Sequence, residues 1–147
     1  MPADPCAEVR AIYAEVEAVL AAHPRQCEAR TECCRFRLTG RTPMLTAGEA
    51  LVAAQAVRAA GRKALPPSAD PNAGRCPLLG RDGRCTIYAA RPFGCRTHFC
   101  AAAGGMLPRK ALQHLIHRLE AVAEQLGQTD PRPLESAVTE ALLRFKK

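Results

Sequence analysis

Cysteine is the residue that most constrains what this chain can fold into. Seven of the eight cysteines fall into two groups separated by a long stretch without cysteine; the groups are Cys27, Cys33 and Cys34, and Cys76, Cys85, Cys95 and Cys100, while Cys6 stands alone. The start of the chain lacks a basic region followed by an apolar stretch, and no apolar run approaches the roughly 18 residues of a membrane span, so we expect a cytoplasmic protein with no membrane partner. Cytoplasmic thiols are kept reduced, and such a set is therefore expected to bind metal or to catalyse rather than to form disulfides.

Apolar residues at spacings of three and four predict a helical frame around the cysteines. Capping residues and helix breakers bound the predicted helices, which run from Asp4-Pro5 to His23, from Thr46 to Gly61, from Pro108 to Gly127, and onward from about Pro133. Residues 65–107 are rich in Pro and Gly, have little periodicity, and are predicted to be mostly loop. The sequence therefore predicts a mainly α fold, with residues 1–147 forming a single small helical domain.

The apolar core of such a domain is thin. Hydrophobic residues make up 48% of the chain, but 28 residues are Ala and only 29 are Leu, Ile, Val or Phe. A long structureless stretch within a compact domain needs something besides apolar packing to hold it. Metal–thiolate bonds would pin several loops at one point and contribute to the free energy of folding. We therefore expect residues 27–100 to form an irregular, cysteine-rich metal-binding centre flanked by helices.

Two segments of the chain resemble a known family. They are CEARTECC, from Cys27 to Cys34, and CPLLGRDGRCTIYAARPFGCR, from Cys76 to Arg96. Together they resemble the YkgJ-like cysteine cluster family, whose members are described as CxxCxxCC or zinc- and iron-chelating domain proteins, over roughly residues 27–100. The resemblance implies metal chelation by zinc or iron. The second cysteine of the CxxCxxCC motif falls on Arg30, and either Cys100 or His98 is a candidate replacement for that thiol.

The spacing of the cysteines bears on the type of metal. Gaps of eight, nine and four residues in the second group are too long for a zinc knuckle or ribbon, which use short gaps in pairs. They suit loops wrapped around a larger object, and a 4Fe-4S iron–sulfur cluster held by four thiolates is such an object. If residues 27–37 are helical, Cys27 and Cys34 share a face. Cys33 then has three open roles: ligand of a second metal, thiol donor, or small apolar side chain.

This geometry and the resemblance together rank the cysteines as candidate metal ligands. Cys85 and Cys95 lie within the family-like Tyr88 and Arg91-Pro92 framework, and with Cys27 and Cys34 they form the best complete ligand set. The family pattern also includes Cys33 and Cys76, which come next. Cys100 follows, and Cys6 is last because it has no neighbouring thiol.

The charge of the chain is concentrated around the cysteines. Between positions 23 and 105 there are 13 Lys and Arg but only 5 Asp and Glu. Metal-bound thiolates are anionic, so Arg91 and Arg96, which flank Cys95, are predicted to donate hydrogen bonds to the cofactor. The alternative is that they are solvated surface arginines.

These features predict an iron–sulfur protein that transfers electrons or assists a partner enzyme, with a redox or client protein as its partner. No catalytic constellation is evident, so any activity is expected to be redox. The alternative is a structural zinc-binding protein or adaptor that contacts nucleic acid, which a pI near 9.2 invites. Only 6 aromatic residues are present for base stacking and no recognition helix is recognisable, so nucleic acid is the weaker prediction.

Overall fold

The structure is a computed structural model that describes residues 4–22, 43–65, 76–78, 80, 85–97 and 108–144. Within these residues it is mainly helical, with two very short strands, which confirms the predicted fold class. The elements in chain order are α1 (Pro5–Ala22), β1 (Met44–Leu45), α2 (Ala47–Ala59), a 3₁₀ turn (Tyr88–Ala90), α3 (Phe93–Thr97), α4 (Arg109–Gln125), β2 (Arg132–Pro133) and α5 (Leu134–Arg144). No helix in these ranges is long and apolar enough to cross a membrane.

The ends of the long helices follow their capping residues. The Asp4 carboxylate accepts the Cys6 N–H at 3.0 Å, one residue after Pro5 begins α1. At the start of α2, the Thr46 N–H and hydroxyl both donate to Glu49 Oε2, at 2.9 and 3.0 Å. Gly61 and Gly127 follow α2 and α4 with φ of 84° and 78°, the left-handed conformation that glycine adopts most readily. These four helices lie where the sequence predicts them.

Two clusters of buried side chains form the core. The α1/α4 cluster joins the apolar stripes of those two helices and includes Phe93. The α2/α5 cluster joins α2 and α5 and includes Cys76, Leu78 and Ile87 from the cysteine-rich segment. Helix α2 contributes to both clusters, with Val52 in the first and its small alanines in the second.

Gly48 lies where α2 contacts both α1 and α4. A Cβ atom at this position would lie 2.7 Å from Val122 Cγ1 and 2.8 Å from Val9 Cγ2, both closer than carbon atoms pack. The absence of a side chain therefore lets α2 lie directly against both helices.

The two short strands tie the beginning of α2 to the beginning of α5. They pair antiparallel, with Met44 opposite Pro133 and Leu45 opposite Arg132. The Leu134 N–H extends this contact by donating to the Pro43 carbonyl at 2.9 Å. Residues 43–45, which lead into α2, are thus fixed against the start of α5.

The stretch predicted to be mostly loop contains more regular structure than its sequence suggests. In its described part, the 3₁₀ turn is followed by the five-residue helix α3. Both elements are too short to show a periodic pattern of apolar residues, so periodicity analysis does not detect them.

Candidate metal centre

Three of the seven predicted metal ligands lie in the described part of the chain: Cys76, Cys85 and Cys95. No disulfide joins the described cysteines to one another. The other four predicted ligands lie outside the described residues: Cys27, Cys33, Cys34 and Cys100. Arg30, which stands in place of the motif thiol, and His98, a candidate replacement for it, lie outside them as well.

Cys95 lies on the less buried side of α3. The helix buries Phe93 and, one helical turn later, Arg96 and Thr97. Thr97 also donates its hydroxyl hydrogen to the Phe93 carbonyl at 3.0 Å. Cys95 falls between these positions and is only partly buried. The packing of α3 therefore leaves the cysteine partly buried between residues that the helix buries fully.

Cys76 and Cys85 lie on a segment that folds back on itself. The Leu78 carbonyl accepts both the Thr86 N–H at 2.8 Å and the Thr86 hydroxyl at 2.7 Å. Cys76 is only 6% exposed within the α2/α5 cluster, whereas Cys85 is partly buried and packs against it. Cys76 and Cys85 are nine positions apart in sequence, and hydrogen bonds directly join the two segments that carry them.

Arg96 fastens the 3₁₀ turn to α3. Its Nε donates to the Arg91 carbonyl at 2.7 Å, and Nη2 donates to the Ala89 carbonyl. Its Nη1 donates to Glu17 Oε1 on α1 at 3.1 Å, and the guanidinium lies 4.2 Å from the centre of the Tyr13 ring. The side chain is 6% exposed, and burial lowers the pKa of Arg96 from its ordinary value. The planar fork of donors suits this role because it satisfies two carbonyls at once.

Glu49 is a buried carboxylate shared between two helices. Its Oε1 accepts the Phe93 N–H at the start of α3 at 2.6 Å, while Oε2 accepts the two donors of Thr46 at the start of α2. The residue is 2% exposed. Burial raises the pKa of Glu49, and the hydrogen bonds from Thr46 and Phe93 oppose that rise.

Tyr13 completes this buried polar group from α1. Its ring lies against the Arg96 guanidinium, and its hydroxyl is buried without a hydrogen-bond partner among the described residues. Burial, and after it the negative charge of Glu49, raises the pKa of Tyr13 well above its ordinary value, so the phenol stays protonated. Its buried hydroxyl therefore lies close to the Glu49 carboxylate and beside the segment that carries Cys95.

Arg91 has a different environment from Arg96. Its Nε donates to the Tyr88 carbonyl at 3.0 Å, and its guanidinium stacks 3.8 Å above the Tyr88 ring, which is 59% exposed. Both arginines thus have partners within the protein. That either one also donates to a cofactor stays a prediction.

The described residues do not form a complete metal site by themselves. No group of three or more His, Cys, Asp or Glu side chains converges within the ranges that the structure describes. The chemistry of the donors nevertheless fits a thiophilic metal, because Cys85 and Cys95 are partly buried on a braced segment. A full ligand set would have to add cysteines from outside the described residues.

The site predicted from the sequence consists of cysteines and two arginines, and it includes neither Glu49 nor Tyr13. From the sequence alone, Glu49 is accounted for by its capping-box spacing from Thr46 at the start of α2. A further signal was present, because position 49 lies one turn before Ala53 on the buried face of that helix. A carboxylate on a buried face requires donors from elsewhere in the fold.

Comparison with known proteins agrees with this chemistry. No curated protein and no solved structure matches the chain. Residues 25–117 match the CxxCxxCC family, described as "Putative zinc- or iron-chelating domain". The match includes both cysteine groups, and its description supports chelation of zinc or iron. Because the match covers more than half of the sequence, the chain belongs to the CxxCxxCC family.

Proposed function

We propose that this protein binds metal through its clustered cysteines and carries an iron–sulfur cluster, which it uses to transfer electrons or to assist a partner enzyme. The family supports zinc or iron chelation; the cluster, its 4Fe-4S type and the partner are parts of the proposal. The cytoplasm is the proposed compartment, since reduced thiols are needed there for ligation.

The observation that carries the proposal is the way the protein holds Cys95. Helix α3 buries its other side chains, and the side chains of Arg96 and Glu49 hydrogen-bond to the backbone that leads into the cysteine, at Ala89, Arg91 and Phe93. A cysteine that served only as apolar filling would be expected on the buried side. A braced and partly exposed thiol is suited to ligation because little ordering entropy remains to be lost when metal binds.

Iron is favoured over zinc by the size of the loops between the cysteines. In the described part of the chain, the stretches next to Cys76 and Cys85 are joined by the hydrogen bond between Thr86 and Leu78. Cys95 lies on α3, after the separate 3₁₀ turn. Structural zinc sites usually take paired ligands from one short loop. The second candidate is a structural zinc site, which the family description supports equally well.

Metal analysis of anaerobically purified protein tests the type of metal directly. We expect a brown protein with iron and acid-labile sulfide in equal amounts, about four of each per chain for a 4Fe-4S cluster. A reversible change of the visible spectrum on reduction is expected as well. Stoichiometric zinc without iron would reject the cluster and support the structural zinc site.

Single Cys→Ser substitutions test the assignment of ligands. Metal content should fall severely for Cys85→Ser and Cys95→Ser, and appreciably for Cys27→Ser and Cys34→Ser. Cys6→Ser is the matched control because this thiol is also buried, at 5% exposure, but packs in the α1/α4 cluster, where burial raises its pKa. Full metal retention in Cys95→Ser, or equal loss in Cys6→Ser, would contradict the assignment.

A further inference from the structure

We propose that Glu49 is a positioning residue for Cys95, because its carboxylate ties the first residue of α3 to the start of α2. This inference rests on the proposed function, in which Cys95 is a metal ligand. It assigns a buried acidic residue on a helix outside both cysteine groups to the metal centre.

The carboxylate reaches the two helices through different oxygen atoms. Oε1 accepts the Phe93 N–H at 2.6 Å, and Phe93 is two residues before Cys95 on the five-residue helix α3. Oε2 accepts the N–H and the hydroxyl of Thr46, which directly precedes α2. One side chain thus accepts hydrogen bonds from groups at the beginning of two helices, where main-chain N–H groups have no partner within their own helix.

The contact of Glu49 with Thr46 and Phe93 matters for the metal centre because of where these two residues lie in the chain. Thr46 follows β1 at the end of the connection from Cys34, the last cysteine of the first group, whereas Phe93 precedes Cys95 in the second group. Glu49 therefore restrains α3, which carries Cys95, relative to the start of α2, where the connection from the first cysteine group ends. A metal centre assembled from both groups requires such a restraint, because thiolate–metal distances vary little.

Arg96 does not duplicate this function. Its two main-chain acceptors, Ala89 and Arg91, belong to the same segment as Cys95, so these bonds shape the segment internally. Its bond to Glu17 does reach α1, but Glu17 is 55% exposed and the pair is open to solvent. Among the described hydrogen bonds, the one from Phe93 to Glu49 is the buried link between α3 and α2.

Glu49→Gln tests the proposal with little change of shape. The amide keeps one oxygen but replaces the other with an NH₂ donor, so it cannot accept from both Phe93 and Thr46. We expect the anaerobically purified variant to release its iron to a chelator about 10- to 100-fold faster than the wild type, the range typical of residues that hold metal ligands in place. In metal-free protein, alkylation of Cys95, followed by mass spectrometry, should be about tenfold faster.

Thr46→Ala is the matched control. It removes one hydroxyl donor from the same carboxylate and weakens the cap of α2, but it leaves the contact between Glu49 and Phe93 in place. Its rates of iron release and of Cys95 alkylation should stay within about twofold of the wild-type rates. The two proteins are compared under conditions in which their free energies of unfolding are equal. If Glu49→Gln fails to fold, Glu49→Asp, which keeps both acceptors on a shorter side chain, should give intermediate rates.

The outcomes separate this inference from the proposed function. Wild-type protein that binds no metal would overturn the proposed function, while the alkylation of Cys95 would still test the restraint. Glu49 variants that match Thr46→Ala in both iron release and alkylation would overturn the inference and leave the proposed function standing.

Discussion

Replacing Arg96 with lysine should destabilise the protein although the charge is retained. The arginine is 6% exposed and donates to the carbonyls of Ala89 and Arg91 at the same time. A lysine has a single nitrogen on a flexible stem, which can reach one of these acceptors but cannot match the planar fork. The variant therefore leaves one carbonyl without its donor and weakens the stacking on Tyr13.

The size of the effect follows from these contacts. One hydrogen bond from a charged donor contributes about 1.5–3 kcal/mol, and weakened stacking on an aromatic ring adds about 0.5 kcal/mol. The Glu17 pair contributes nothing to this sum because its carboxylate is 55% exposed. We expect a net decrease of about 2 kcal/mol, or a Tm lower by about 4–8 °C.

Denaturant unfolding of the metal-loaded protein, followed by circular dichroism at equal metal content in wild type and variant, measures this change while the cysteine-rich segment is held in place. Arg91→Lys is the control, because the same substitution is made five residues earlier, where the guanidinium stacks on the exposed Tyr88 ring. It should cost no more than about 1 kcal/mol. Equal losses in the two variants would refute the conclusion that Arg96 fastens the turn to α3.

Three further predictions concern packing, pH and metal. Gly48→Ala should lower the free energy of unfolding by about 1–2 kcal/mol, because a Cβ would lie within 3 Å of two buried valines and the gain in helix propensity is smaller; a more stable variant in denaturant unfolding would contradict this packing. Burial raises the pKa of Glu49 above 4.5. Protonation of Glu49 therefore contributes its whole share of the free energy of unfolding below about pH 4.5, and this share is lost as the pH rises through the raised pKa. Wild-type protein should lose stability relative to Glu49→Gln over that interval, and parallel pH curves would reject this. Metal removal should lower amide-exchange protection in residues 65–107 while α1 and α4 remain protected, and unchanged protection would count against a metal-pinned loop.

The helical frame could be predicted from local sequence because its signals are local. Asp4, Gly61 and Gly127 occupy capping positions that depend only on neighbouring residues. The pairing of β1 with β2 could not be predicted in the same way, since each strand has two residues and β2 contains Pro133. Its register depends on how α2 and α5 pack, which no local pattern records.

The candidate site shows the same division. The cysteines and their flanking arginines are recognisable from their spacing and from the family resemblance. The acceptors of Arg96 are main-chain carbonyls, and the partner of Phe93 is 44 positions away, so neither contact leaves a signature in the sequence. Placement of Cys95 on the less buried side of α3 follows from which residues that short helix buries, and this depends on tertiary packing.

The sharing of α2 between the two core clusters has a consequence for cooperativity. Val52 packs with α1 and α4, whereas Ala53, Ala54 and Val57 pack with α5. Loss of α2 would therefore expose apolar surface on both sides of the molecule at once, and neither half of the helical frame retains a closed core without it. Calorimetric and van't Hoff enthalpies of unfolding should agree for the frame, whereas loosening of the cysteine-rich segment on metal removal would be a separate event.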